Sequence, residues 1–272
     1  MSVRDRFNVT ELGDPTAPPM LFAHGFGCDQ SMWRHVAPRF AEDHRVVQYD
    51  LIGMGATNPD DYDVARYGSL AGYAQDVLDI ADELGLRDIV FVGHSVSAMS
   101  GVLAAARRPE LFSKLVLVAP SPRYIDDEGY VGGFSVADID DLLATLERNF
   151  LGWSTTMAPV IMGHPDEPEL GAELTTLFCA ADPDIARRFA AVTFRSDTRA
   201  DLKRVSTPTL VLQCTNDVIA PRSVGTFVAE QMPAATLVQL RAGGHCPNLS
   251  APDEVTDAIA AFLTPMPATA GA

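Results

Sequence analysis

The sequence predicts an α/β fold, a mostly parallel sheet flanked by helices and interrupted by an all-helical insertion. Three observations carry that expectation. Short apolar runs alternate with helix-period patterns over residues 1–120, strand signals then stop for about eighty residues, and they resume near residue 208.

Met20–Ala23, Arg45–Tyr49, Ile89–Val92 and Leu115–Ala119 read as buried strands, because no polar alternation marks an exposed face. Between the second and third, Leu70, Tyr73, Val77, Ile80 and Leu84 recur at spacings of 3, 4, 3 and 4. That spacing puts them on one face of a helix, with Ser69 as its N-cap. A further helical stretch runs from Val96 to Arg107 and ends before Pro109. After Pro120-Ser121-Pro122 the pattern is helical throughout. Ser135-x-x-Asp138 forms a capping box ahead of Ile139, Leu142, Leu143 and Leu146. Asp182-Pro183 opens another helix, carrying Ile185, Phe189 and Val192 on one side. Thr209–Cys214 and Thr236–Leu240 are the last strands, and a final helix starts near Ser250-x-x-Asp253 with Val255, Ile259, Phe262 and Leu263 inward. The expected layout is a core in two parts, 1–121 and 205–264, a helical lid over 122–204, and a disordered Pro/Ala-rich tail over 265–272. Ligand sites of open parallel sheets lie at the C-terminal strand ends, so an insertion there covers the site.

Composition removes several function classes. The chain of 272 residues carries 20 Lys+Arg against 36 Asp+Glu, a formal net charge of −16. Such a surface repels phosphate backbones and anionic lipid, so neither nucleic acid nor membrane is an expected partner. The longest apolar run, Ala258–Leu263, is far short of a bilayer span. The N-terminal MSVRDRFNVTELGDP has charges and no apolar stretch of the export type, which points to a cytoplasmic protein. Its four cysteines, Cys28, Cys179, Cys214 and Cys246, form no CxxC pair and read as reduced thiols. No HExxH occurs among the six histidines, and neither metal nor cofactor is expected.

The chemistry is carried by Gly93-His94-Ser95-Val96-Ser97, between the strand Ile89–Val92 and the helix from Val96. A strand-to-helix turn this tight strains its central residue and projects the side chain from the sheet edge. Small neighbours two residues away are needed because strand and helix backbones nearly touch. Gly93 meets that need fully, and Ser97 stands where the broad G-x-S-x-G pattern has glycine. Alone, the pattern fits an incidental serine at an ordinary junction equally well. Its partners decide. A serine hydroxyl needs a base, and the base an orienting acid, in the chain order Ser, acid, His. Asp217 follows the strand Thr209–Cys214, and His245 follows Thr236–Leu240. The loop His24-Gly25-Phe26-Gly27 follows the strand Met20–Ala23, where it can aim a backbone N–H at the nucleophile. The Phe26 and Val96 N–H groups are the expected oxyanion donors. His24 reads as structural, since His245 fills the proton-transfer role. Cys28 and Cys246 flank the site without occupying the elbow, and they too read as structural. Arg187-Arg188 and Lys203-Arg204 read as solvated charge.

Taken together these residues resemble the α/β-hydrolase family over nearly the whole chain. The likeness is narrower in the segments 24–33, 93–98 and 108–112, in Tyr130-Val131-Gly132-Gly133-Phe134, in Asn149-Phe150-Leu151-Gly152-Trp153 and in Gly243-Gly244-His245-Cys246-Pro247. These look like the branch that includes the bacterial stress-regulator hydrolase RsbQ and the plant karrikin and strigolactone receptors, in which Ser97 is the expected residue. The resemblance implies a V-shaped, four-helix lid over a small hydrophobic cavity and a Ser95–His245–Asp217 triad. It further implies that Phe26, Phe134, Leu142, Trp153, Met157, Thr193, Phe194, Val218 and Ile219 line that cavity, although for any single aromatic ordinary core packing competes. Met157 and Thr193 fall where other members carry different side chains, so ligand identity does not carry over.

Three functions fit. The first is a serine hydrolase of a small apolar ester or lactone, working through an acyl-enzyme. The second is a ligand-sensing signalling protein with slow hydrolysis and a regulatory protein partner. A cofactor-free peroxidase or lyase on the same triad is the third. Dehalogenases and epoxide hydrolases, which place Asp at the elbow, are excluded by Ser95.

Overall fold

A computed structural model of the chain describes residues 1–264. The tail 265–272, expected to be disordered, lies outside the described residues. The elements run α1 (Val3–Arg6), β1 (Thr10–Leu12), β2 (Pro19–Ala23), β3 (Arg45–Tyr49), α2 (Leu70–Glu83), β4 (Ile89–His94), α3 (Val96–Arg107) and β5 (Phe112–Val118). Four helices then follow without a strand: α4 (Val136–Arg148), α5 (Phe150–Met162), α6 (Pro168–Ala180) and α7 (Pro183–Phe194). The chain returns to the sheet through α8 (Arg199–Leu202), β6 (Thr209–Gln213), α9 (Arg222–Gln231) and β7 (Ala235–Gln239), and ends in α10 (Pro247–Ser250) and α11 (Pro252–Leu263).

The seven strands form one sheet in the order β1-β3-β2-β4-β5-β6-β7. Only β1 is antiparallel to its neighbour, pairing Thr10–Leu12 with Val46–Gln48. β4 lies centrally, and all six of its residues are buried. That burial on both faces is why its sequence shows an unbroken apolar run. The expected strands are all present: β3 has the expected ends, and in the others an end moves by up to three residues. β5 begins at Phe112, and Ala119 falls outside it, at φ +48°. The short β1 escaped sequence reading because its burial pattern is exposed–intermediate–exposed, with no apolar run to mark it.

Helix starts follow capping chemistry with two corrections. The Ser135/Asp138 capping box caps α4, and the Asp182 carboxylate accepts from the Asp184 and Ile185 N–H groups at the start of α7. Ser69 occupies the N-cap position of α2, but its exposed hydroxyl accepts nothing from the helix. The final helix does not start at Ser250. That residue ends the short α10, and Pro252, whose fixed φ suits the first helical position, starts α11. No helix among the described residues is long and apolar enough to cross a membrane.

Candidate active site

β4 ends at His94, and α3 starts at Val96, which leaves Ser95 as a one-residue corner. Its φ of +55° and ψ of −122° lie in a region that L-residues rarely adopt. The strain is held from both sides: Ser95 N–H donates to Val118 O at 2.8 Å, and Ser95 O accepts from Ala98 N–H at 3.0 Å. Gly93 is needed for the same reason. A Cβ there would stand 2.7 Å from Ser97 O and 2.8 Å from Ala98 N, both backbone atoms that cannot yield. Ser97, which stands where the broad pattern has glycine, uses its hydroxyl. It donates to the His24 carbonyl at 2.5 Å and so ties α3 to the loop after β2.

Three distant side chains meet at this corner. His245 Nε2 lies 2.8 Å from Ser95 Oγ, and His245 Nδ1 lies 2.7 Å from Asp217 Oδ2. A carboxylate only accepts, so Nδ1 carries the ring proton and Nε2 offers its lone pair to the serine hydroxyl. Asp217 is itself fixed: its Oδ1 accepts from the Ile219 and Ala220 N–H groups at 2.8 and 3.0 Å. Gln213, a residue not singled out from the sequence, steadies that loop by donating from Nε2 to Ala220 O at 2.8 Å. The His245 loop is bonded to the helical insertion, since His245 N–H donates to Ile161 O at 2.9 Å. Neither the Phe26 nor the Val96 N–H donates to a protein acceptor among the described residues.

The two other histidines near the site are wired as structure. His24 is fully buried. Its Nε2 accepts from Leu51 N–H at 2.9 Å, so its Nδ1 carries the proton and donates to Gly25 O at 2.9 Å. Burial holds it below the ordinary histidine range. His94 donates from Nε2 to the His245 carbonyl at 2.7 Å, and burial together with the neighbouring His245 pushes it down to about 3. It is therefore a neutral strut under the His245 loop. Burial also pushes the Cys28 and Cys246 thiols up, so both remain protonated and poor nucleophiles.

A small, largely apolar cavity opens over Ser95. Of the residues expected to line it, Phe26, Trp153, Thr193, Phe194 and Ile219 do so. Phe134, Leu142, Met157 and Val218 do not. Phe134, Leu142 and Met157 pack as half-buried side chains against the wider core, and Val218 turns outward at 49% exposure while the next residue, Ile219, points in. Tyr124, Ile161 and Phe178 line the cavity without having been singled out from the sequence; Cys28 and Cys246, expected to flank the site, line it too, as does His94 of the elbow motif. Tyr124 lines the cavity with Ser95, and burial raises its phenol above the usual tyrosine range. Phe178 carries a helix-period signal, since Gly171, Leu174 and Phe178 form the buried face of α6. Tyr124 follows Pro122 in a loop with no period to read. Phe26 anchors the roof, its ring centroid 5.6–6.2 Å from those of Trp153, Phe178, Phe189 and Phe194 on three different helices of the insertion.

Fold and site together define an α/β hydrolase. The sequence matches the α/β-hydrolase family over residues 20–258, and the chain belongs to that family. It is similar to a strigolactone esterase of Arabidopsis thaliana, 41% identical over 256 residues that cover 93% of this chain and 95% of that one. A karrikin insensitive 2 receptor of Petunia hybrida is 39% identical over 254 residues, covering 93% and 94%. Among solved structures, a hydrolase from Oleispira antarctica superposes with a TM-score of 0.92 at 36% identity, covering 96% of this chain and 95% of that one.

Proposed function

We propose that the protein is a serine hydrolase acting on a small, largely apolar ester or lactone. The observation that carries the reading is the continuous relay from Asp217 through His245 to Ser95, with 2.7 and 2.8 Å contacts, at the floor of an apolar cavity. Ser95 Oγ attacks the carbonyl carbon while His245 Nε2 takes its proton, and the Asp217 carboxylate steadies the resulting imidazolium. Oxyanion charge is met by the Phe26 and Val96 N–H groups. Collapse expels the alcohol, protonated by His245, and leaves an acyl group on Ser95; water activated by His245 then releases the acid. On this reading residues 122–204 act as the lid and residues 1–121 with 205–264 as the core. The apolar lining, with Phe26, Trp153, Phe178 and Phe194 closing around the serine, supports a small substrate with little charge. The name of the Arabidopsis relative supports an ester or lactone. The test is turnover of p-nitrophenyl acetate. Ser95→Ala is expected to lower kcat by about a thousandfold or more, and equal rates in the two proteins would overturn the assignment.

The receptor relative favours a second reading, in which hydrolysis is slow and a filled cavity changes the surface offered to a regulatory protein. Rate separates the two. Ligand-dependent capture of a defined partner with turnover slower than one event per minute supports sensing; rapid turnover without such capture supports catalysis.

A further inference from the structure

Two side chains that line the cavity carry buried polar atoms with no hydrogen-bond partner among the described residues, His94 Nδ1 and Thr193 Oγ1. The His94 atom is closed off by backbone, because a Cβ on Gly25 would lie only 2.4 Å from it. Thr193 is different. It stands in the last turn of α7 and is 1% exposed. A helical threonine has a local remedy for its hydroxyl, which is to donate to the carbonyl four residues back. Thr155, Thr156, Thr175, Thr176 and Thr226 all do so, at 2.8–3.1 Å. Thr193 does not bond to the Phe189 carbonyl, and a buried hydroxyl left unpaired is unfavourable unless something else accepts its proton. Thr256 also lacks a partner among the described residues, but it does not line the cavity.

We propose that the Thr193 hydroxyl is a polar anchor that donates a hydrogen bond to a second oxygen of the substrate, separate from the carbonyl attacked by Ser95. This rests on the hydrolase reading and narrows its substrate class to small apolar esters or lactones bearing one further ether, ester or ring oxygen. The other polar side chains of the cavity gather at the reacting corner: Ser95 and His245 are bonded to each other, His94 donates to the His245 carbonyl, and Tyr124 lines the cavity with them. The rest of the lining is mainly aromatic and aliphatic, with Phe26, Trp153, Phe178, Phe194 and Ile161. A hydrocarbon acyl chain leaves the Thr193 donor unpaired, and a chain with an oxygen in reach pairs it.

The test compares p-nitrophenyl pentanoate and hexanoate with analogues in which one methylene, at each chain position in turn, is replaced by an ether oxygen. The readout is the ratio of kcat/KM for the oxygen-bearing ester to that for its hydrocarbon twin, in wild type, Thr193→Val and Thr193→Ser. At one or more oxygen positions the ratio is expected to be about tenfold higher in wild type than in Thr193→Val, and Thr193→Ser is expected to restore it. Equal ratios in all three proteins at every position would overturn the anchor, including the case in which Thr193→Val slows both esters alike. Failure of wild type to hydrolyse any of the esters would sink the hydrolase reading instead. The same pairs, titrated calorimetrically as ligands, then decide the anchor by the ratio of Kd values.

Discussion

The Ser97 hydroxyl, 2.5 Å from the His24 carbonyl, fastens the helix behind the nucleophile to the loop that carries Phe26. Ser97→Ala is expected to destabilise the fold by about 1–3 kcal/mol, the range for a buried acceptor losing its partner. Because the loop that holds the Phe26 N–H loosens, kcat should fall more than KM changes; thermal melts and steady-state kinetics check both. Ser97 also marks a limit of sequence reading. A pattern registers it only as a departure from glycine, whereas its role depends on a carbonyl 73 residues away. Ser95, Asp217 and His245 were legible because the chemistry fixes their order and sets each just past a strand. Tyr124 and Ile161 were not legible, since a loop residue and one apolar position among many in a helix carry no local mark of the cavity they face.

At the scale of elements, the loop after β7 is pressed against the C-terminal end of α5. Gly244 has φ +72°, and a Cβ there would come within 1.8 Å of Met162 O. The adjacent His245 N–H is bonded to Ile161 O. Gly244→Ala is therefore expected to push the loop and the insertion apart, lowering Tm and reducing kcat/KM by tenfold or more through misplacement of the imidazole. An unchanged kcat/KM in a folded variant would show that the loop and helix are not coupled. Elements with strong periodicity or burial were legible in outline, namely the five core strands from β2 to β6, α2, α4 and α7, and β7, which is only partly buried, was legible from its short run of β-forming residues. The exceptions have local causes. β1 is too short and exposed to show a run, and the start of α11 was set by Pro252, with Ser250 absorbed into α10.

On the scale of the whole molecule, a buried acid outside the Ser95 corner shapes stability. The Asp76 carboxyl is fully buried, receives Arg66 and Tyr67 on Oδ1, and leaves Oδ2 without a partner among the described residues. Burial outweighs the Arg66 charge and pushes it up to about 7. The folded protein thus holds this proton where the unfolded chain, at about 3.9, has released it. Its contribution to stability declines as pH rises from about 4 to about 7 and is level above. Asp76→Asn lacks this slope, so the Tm difference between variant and wild type should move in the variant's favour between pH 4.5 and 7.5. A constant difference would contradict the raised acid. The larger question is whether segments around residues 95, 217 and 245, folded to one corner beneath the insertion, make a working nucleophile. Phenylmethylsulfonyl fluoride followed by peptide mapping asks this most directly. One sulfonyl group should be found on the Ser95 peptide, added far more slowly in Asp217→Asn. Label on another residue, or none while p-nitrophenyl acetate is still turned over, would contradict the account.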